Sequence, residues 1–549
     1  MAKNSIVIIA KNIKIDKNYQ NCLTYSETDM YNLCYQNRVN MANNFSFVKE
    51  SENSIRVPFT YQECLSSNYI AFQNSRYSNK WFFAFIDSVE YVSDGASLIN
   101  FTVDIFSTWF SYWNPVSTFV IREHTMDDTI GANTIPEGLE TGEYIHANSS
   151  VIYDVDSTYI CVGVSEVVDE INLNPFNSQY NGIYSGIKYL LCETPLAASN
   201  LIRGYDKKGK GAAINTIFLV PQALVGSVTF STITIEGITT QLAVVPYSTS
   251  AILLNTSADI TPTTAIGNYI PVNNKLFTYP YSYFYLTNNV GQNVVYHYED
   301  FINNTAKFKT YGAITPGCSI KTIPLNYKKL SESSSPNSVW SYNYGIMGAK
   351  LPMCSWVNDS YTNWLTQNGV NIAGMTLNKN EASGVAGIGS MLLGAGLMAT
   401  GVGGAMGMGL IAGGATGIFS SMQSSYQHDV VPEQARGSIS GGDVQYSLGW
   451  DVIQLFRMTI REEFARSIDD YFTRFGYQTN RLKVPNQTGR RYFNYVEIGK
   501  SEVIGYAKTN TSVPAEAMEK INNIYRSGVT LWHDHSRIGN YTDNTIITE

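Results

Sequence analysis

The chain has 549 residues, of which 44% are hydrophobic, only 15% are charged and 38 are Tyr. That composition excludes a disordered chain, a coiled coil and a collagen-like fibre, and the length can bury large cores without metals or disulfides. A net charge of −8 and a pI near 5.4 exclude a basic nucleic-acid clamp, so any contact with DNA is expected to be loose. At roughly 150 residues per domain, three or four domains are expected.

Residues 6–10 form an apolar run shorter than the ~7–15 residue core of a secretory signal. The run reads as the first strand of a protein made and kept in a reducing cytoplasm. Cys22, Cys34, Cys64, Cys161, Cys192, Cys318 and Cys354 are scattered and form no CxxC pair. They read as small buried thiols, not as a disulfide framework or zinc module.

Most of the first 350 residues read as strands and turns. Residues 81–92 are aromatic and β-branched, Asp94-Gly95 is a strong hairpin turn signal, and residues 98–106 make the return strand. A second hairpin is expected from residues 228–235, Glu236-Gly237 and residues 238–245, where Ile233 and Ile235 alternate with Thr as on a half-buried sheet. Lys207, Lys208 and Lys210 around Gly209 read as a solvated loop.

One segment breaks the pattern. Residues 382–428 contain no Asp, Glu, Lys or Arg, and 13 of the 43 Gly fall in positions 384–417, where an even spread would place about three. The inner part, residues 386–419, exceeds the ~18 residues of a membrane span, yet as one helix its 34 residues would measure ~50 Å, too long for a ~30 Å hydrocarbon core. A hairpin of two shorter helices breaking near residues 400–404 fits better. Its apolar side chains are Met391, Leu392, Leu393, Leu397, Met398, Val402, Met406, Met408, Leu410, Ile411, Ile418 and Phe419, with Gly387 near the start. Gly401, Ala405, Gly409, Gly413 and Gly417 repeat every four residues, the spacing that lets helices approach closely in lipid. Three readings compete. A permanent transmembrane hairpin lacks a basic flank and an aromatic belt. A buried core hairpin would be entropically costly with so many Gly. A conditional membrane-active loop, stored away from water and later inserted, uses both the glycine flexibility and the apolar area.

Helices become legible late. Ile460, Phe464, Ile468, Tyr471, Phe472 and Phe475 form one apolar stripe, Glu462–Arg466 and Asp470–Arg474 are favourable i,i+4 pairs, and Gly476 stops the helix. A second helix fits residues 514–526, with Pro514 at its start, Met518, Ile521 and Tyr525 on one face and Gly528 beyond its end. The order of an aromatic strand and a Trp-bearing element, at residues 81–109 and again at 492–532, hints at two related modules.

No nucleophile elbow, zinc-protease motif, Walker loop or dinucleotide fingerprint is present. His533 and His535 could share a metal, but alternate residues on a strand are also a plain polar face. Arg122, Glu123 and His124 with Asp127 and Asp128 carry acid–base side chains; a polar exposed turn is the expected setting. His428, at the rim of the apolar segment, is placed for pH sensing.

Several stretches resemble the major tail (tail knob) protein of Picovirinae-type short-tailed phages of Gram-positive bacteria. They are residues 81–109 with the run 101–109, residues 122–131 with 135–142, residues 470–477, 483–486 and 491–496, and residues 518–524 with 528–533. Residues 150–350 carry no close resemblance. The resemblance implies a mainly β chain with a few helices, its barrel or sandwich modules building a ring or tube. The modules are expected at 1–120 (N-terminal tube module), 121–350 (middle β-rich domains), and 351–381 with 429–549 (second tube module with two helices). Residues 382–428 stand as an inserted apolar loop.

The same resemblance implies a non-enzymatic virion protein with no cofactor or metal, assembled in the host cytoplasm as a homohexamer at the distal end of the tail. Its partners would be the connector or lower collar, other distal tail proteins, the phage genome passing through the lumen, and the host membrane that the released loops enter as a pore. Six copies would carry a charge of about −48, which lets DNA slide if part of it lines the lumen. A receptor-binding or adhesion protein using the Tyr- and Asn-rich middle, and a tail-associated wall hydrolase using His533, His535 or His124, stand as alternatives.

Overall fold

The computed structural model describes residues 5–45, 53–74, 79–155, 157–173, 177–180, 183–245, 252–302, 305–314, 318–328, 343–348, 351, 353–355, 453–508 and 511–547. The fold is mostly β, with a few helices. The chain divides into two compact units. One comprises residues 1–143, 265–281 and 460–549, and the other residues 144–264 and 282–459.

The first unit contains a six-stranded antiparallel sheet in the order β3 (Arg38–Phe45), β1 (Ser5–Ala10), β5 (Tyr69–Asn74), β6 (Trp81–Ser93), β7 (Ala96–Val103), β4 (Ser54–Val57). Both faces are buried. Ile8 and Ala10 of β1 pack with Tyr69, Phe83 and Phe85 on one side, and Val7 and Ile9 with Ile55, Ile70, Ile99 and Phe101 on the other. Burial on both faces explains why β1 reads as an unbroken apolar run and does not alternate. Helix α1 (Glu27–Gln36), opened by a Ser26–Asp29 capping box, lays Met30, Leu33 and Cys34 on the first face. Helix α2 (Tyr61–Leu65), opened by a Thr60–Glu63 capping box, places Cys64 on the second. The edge strand β3 is tied to α2 where the Asn40 amide donates to Glu63 Oε1 at 2.8 Å. The short helix α3 (Ile105–Trp109) follows β7, capped by buried Asp104, which accepts from the Ser107 N–H at 3.1 Å and the Tyr69 hydroxyl at 2.7 Å.

A five-stranded sheet in the same unit runs β2 (Asn21–Leu23), β28 (Val529–Trp532), β26 (Phe493–Ile498), β9 (Thr118–Glu123), β25 (Tyr477–Lys483). Strands β2 and β28 are parallel, so segments about 500 residues apart are neighbours in one sheet. Trp532 is fully buried there and its indole N–H donates to Asn21 Oδ1 at 2.8 Å. A two-stranded ribbon joins β8 (Trp113–Pro115) to β27 (Ile504–Ala507). Helix α6 (Glu462–Phe475) buries Ala465, Ile468 and Phe472 against Ile266, Leu276, Phe277 and Tyr281. Helix α7 (Ala515–Arg526) packs Ile521, Ile524 and Tyr525 against Phe106, Trp113, Val496 and Leu531.

The second unit contains a seven-stranded sheet: β15 (Ser231–Ile235), β16 (Ile238–Val244), β13 (Ile183–Cys192), β11 (Thr158–Val164), β14 (Ile214–Pro221) and β23 (Met353–Ser355), with β12 (Asn177–Tyr180) also on β13. Helix α4 (Pro195–Lys207) lies on it, and Gly204 lets the helix close on Ile235, whose Cβ would stand 3.0 Å from an added Cβ. Helix α5 (Gln222–Val225) follows β14. Two four-stranded sheets complete the unit. One runs β10 (Tyr144–Tyr153), β24 (Ile453–Ile460), β18 (Ser282–Thr287), β19 (Asn293–Tyr296). The other runs β17 (Ile252–Ile260), β20 (Ala306–Ala313), β21 (Ser319–Pro324), β22 (Ile346–Met347). They share an aromatic core of Phe284, Tyr296, Tyr298, Phe301, Phe308 and Tyr327.

Both expected hairpins form. Asp94-Gly95 joins β6 to β7, and Glu236 (φ 45°) with Gly237 (φ 78°) joins β15 to β16, the two left-handed residues a tight hairpin turn demands. The return strand of the first hairpin ends at Val103 because Asp104 caps α3, so Ile105 and Phe106 are helical, not extended. Ile460 closes β24, and α6 starts at Glu462; the apolar stripe from Phe464 onward is helical. Lys207 is the last residue of α4; Lys208 pairs with Glu170, and Lys210 pairs with Glu166 at 2.8 Å. The two Trp-bearing stretches sit in different sheets with different neighbours. The six described cysteines, Cys22, Cys34, Cys64, Cys161, Cys192 and Cys318, are free and buried, and the Cys354 side chain lies outside the described set.

Gly476 ends α6 at φ 66° and ψ −153°, a region essentially reserved for glycine, and a Cβ there would stand 2.2 Å from the Glu123 carbonyl oxygen. Gly476→Ala is expected to lower stability by at least about 2 kcal/mol, read as the urea midpoint of tryptophan fluorescence. A midpoint equal to wild type would sink this account of the turn.

Candidate functional site

The residues expected to insert or plug, from Gly387 to Phe419, lie outside the described residues, as do the ladder Gly401, Ala405, Gly409, Gly413, Gly417 and the rim residue His428. What is described is their attachment. On the N-terminal side the chain leaves β23, whose Met353–Ser355 pairs with Thr216, Ile217 and Phe218 of β14. On the C-terminal side it re-enters through β24, which pairs with β18 from Gln454 to Thr459. Both anchor strands belong to the second unit. Among the described residues no helix is long and apolar enough to cross a membrane, a statement that leaves strands aside.

The polar run at 122–124 is not the exposed turn its composition predicts. It ends β9, which lies between β26 and β25, and the sheet buries it: Glu123 is 0% exposed and His124 2%. Glu123 pairs with Lys483 and accepts the Asn486 N–H at 2.7 Å. His124 Nδ1 accepts the Tyr495 N–H at 2.7 Å, so Nε2 carries the proton toward the Thr473 carbonyl, 3.1 Å away. Burial, reinforced by Arg490, pulls the imidazole down to about 3. A ring so fixed between two backbone groups is a crosslink in the fold, not an acid–base catalyst.

Beside it lies a buried charge cluster. Glu137 pairs through one carboxylate oxygen with Arg122 and through the other with Lys275, and the second oxygen also accepts the Gln478 N–H at 3.0 Å. Arg122 donates to the Gly476 carbonyl at 2.8 Å and lies 4.9 Å over the Tyr471 ring. The Lys275 ammonium stands 5.4 Å from the Phe472 ring centre and 5.3 Å from that of Tyr477. Burial lowers the Lys275 pKa, and Glu137 opposes that shift. Next along, Asp469 on α6 accepts from the N–H groups of Val272 (2.7 Å) and Asn273 (3.0 Å) and from the Tyr269 hydroxyl. Asp128 accepts from the Tyr477 hydroxyl and the Asn274 N–H, and burial raises its pKa. Composition gives no sign of this cluster. Glu137, Lys275 and Asp469 are separated by 138 and 194 positions, and only the fold brings them together.

His533 and His535 do not converge. His533 Nδ1 is 2.7 Å from Thr24 Oγ1 and Nε2 is 3.0 Å from Asn494 Oδ1, while His535 Nε2 accepts the Lys14 N–H at 3.1 Å. Among the described residues no group of three or more His, Cys, Asp or Glu is arranged to hold a metal. Burial pulls His533 down to about 4.

Two tests follow from this geometry. Glu137→Gln strands two buried cations and is expected to cost about 3–5 kcal/mol of unfolding free energy, measured by denaturant titration. A loss under ~0.5 kcal/mol would show that the cluster is not a structural tie. His124 and His533 have folded values of about 3 and 4, below the ordinary 6.5. The unfolded chain therefore binds more protons than the folded one from about pH 6.5 downward, and stability falls as pH drops through that window, by up to ~1.4 kcal/mol per pH unit for each histidine. The urea midpoint should decline from pH 7 to pH 5, and His533→Gln should flatten the decline; an unchanged slope overturns the assignment.

Comparison with known proteins now bears on this architecture. Residues 247–545 match the family model described as the C-terminal domain of tail knob protein gp9 of Bacillus phage phi29. Residues 3–114 match the caudoviral major tail protein N-terminus. The chain is 24% identical to the phi29 tail knob protein gp9 across 98% of this chain and 97% of that protein. It is also 24% identical to the tail knob protein gp9 of Bacillus phage B103 across 98% of each. The bacteriophage C1 tail knob protein gp12 shares the fold, with a TM-score of 0.59 at 12% identity over the full length of both chains. End-to-end matches in sequence and fold converge: the chain belongs to the family of phage tail knob proteins, structural components of the virion tail.

Proposed function

We propose that six copies of this chain form the distal tube of a short tail. DNA leaves through the lumen, and residues 382–428 plug that lumen and then penetrate the host membrane. The observation that carries the reading is one uncharged, glycine-rich stretch of 47 residues inside a chain that matches tail knob proteins from end to end. A stretch with no charge is unstable in water and stable against itself or in lipid. Six such stretches packed together would hide one another, and lipid would replace that burial at low net cost, so a modest trigger tips the balance. The acidic chain suits passage of DNA, because a lumen of like charge repels phosphate and does not hold it.

Dye release from anionic and neutral liposomes tests the membrane half. Full-length protein is expected to release dye, more so at mildly acidic pH if His428 gates the loop, and protein lacking 383–427 is expected to release none. Release by both proteins would overturn the role of the loop. No release by either, with rings visible in electron micrographs, would leave a tube whose apolar stretch serves as a plug alone.

A further inference from the structure

We propose that the outer half of the β6–β7 hairpin of one copy docks on the β25 edge of the next, and that this contact closes the ring. The inference rests on the ring reading above and names its interface. Both surfaces lie in the first unit.

Beyond the reach of β5 the hairpin is flanked on its β7 side by β4, which pairs with Ser97–Asn100, and its β6 edge is left open among the described residues. Strand β6 pairs with β5 only from Trp81 to Phe85, whereas β7 accompanies it to Ser93. From Asp87 outward, β6 therefore has a strand neighbour on one side only among the described residues. That outer half carries exposed apolar side chains, Tyr91 at 60% and Val92 at 37%, between the exposed carboxylates Glu90 and Asp94. Asp94 accepts from the Tyr91 hydroxyl at 2.6 Å and Glu90 from the Asn100 amide at 2.9 Å, which fixes both acids on the hairpin. A soluble chain has no folding reason to hold an apolar, acidic, half-paired ribbon in water.

The β25 edge offers the complement. It is the terminal strand of the five-stranded sheet. Leu482, 74% exposed, stands in register with Phe119 of β9, 42% exposed, and the exposed Val484 follows just beyond the strand end. Basic groups rim this apolar strip. Arg481, one residue before Leu482 and in register with Val120, is exposed at the same strand edge. Lys500 is set beside Phe119 because the Gly499 N–H donates to the Phe119 carbonyl at 2.8 Å and the Phe119 N–H to Ser501 Oγ at 3.0 Å. Neither Arg481 nor Lys500 has an ion-pair partner among the described residues, and Glu502 is the acid nearest in sequence to Lys500. Apolar meets apolar, two acids meet two bases, and each strand edge gains a neighbour. The occupant is a second copy of this chain. Because the two patches are different surfaces, the contact is head-to-tail, the kind that generates rings when the rotation closes.

Full-length protein is compared with E90K/D94K, with R481E/K500E and with all four changes combined, by analytical ultracentrifugation and electron microscopy. Each reversed pair should weaken assembly at least ~10-fold, and the four-fold variant should restore it. Val92→Cys with Leu482→Cys should give a disulfide-linked ladder of chains that neither single variant gives. Because all six positions are exposed, circular dichroism should stay that of wild type. Wild-type rings that ignore both reversals and yield no ladder overturn this interface alone. Wild-type protein that stays monomeric overturns the ring and the interface together.

Discussion

One carboxylate, buried out of water, holds two cations that come from distant parts of the chain. Glu137 joins Arg122 of β9 to Lys275 of the 265–281 segment, and its second oxygen also takes the first backbone N–H after Tyr477. Such a cluster adds little net stability over apolar packing, since burying three charges costs about what their attraction returns. Its value is selectivity. A chain with only 15% charged residues has few ways to satisfy a buried cation, so a misplaced segment leaves a charge unpaired. Asp469 adds the same logic on α6, where its oxygens collect two backbone N–H groups and a tyrosine hydroxyl from the 265–281 segment.

This constraint explains how a unit can be assembled from three separate stretches. Residues 144–264 and 282–459 form a unit with its own cores, and the short stretch 265–281 returns between them to the first unit. Seventeen residues bring little apolar area of their own; the polar ties to Glu137, Asp128 and Asp469 hold them where Leu276, Phe277 and Tyr281 pack on α6. The parallel pairing of β2 with β28 does the same for the segments near positions 20 and 530. Long-range pairing of this kind carries a high loop-closure cost and needs strong local specification.

The function proposed for the chain separates these roles. Aromatic and aliphatic cores hold each unit together, and buried polar crosslinks tie the first. In the sequence the uncharged stretch lies between β23 and β24, the nearest described strands before and after it. Both anchor strands are hydrogen-bonded into sheets, so a change in the state of the intervening chain need not unfold either one.

The sequence alone determined whatever depends on near neighbours. Both hairpins were legible from Asp94-Gly95 and Glu236-Gly237, because a two-residue turn needs a particular local chemistry. Helices α6 and α7 were legible from one apolar face each, and the mostly β class from aromatic and β-branched runs. Family membership was legible from motifs distributed along the chain, and the matches over 3–114 and 247–545 cover most of them. The uncharged stretch 382–428 was visible as composition, which needs no partner to be read. Tertiary structure decided what depends on distant partners. Arg122, Glu123 and His124 read as an exposed polar turn because charge alone signals water; β25 and β26 bury them, and Glu137, Lys483 and Asn486 satisfy them there. His533 and His535 read as a pair because they alternate, yet Thr24, Asn494 and Lys14, none of them near in sequence, claim their nitrogens. Periodicity reports which face of an element is dry. It does not report which residue, a hundred or more positions away, will face it.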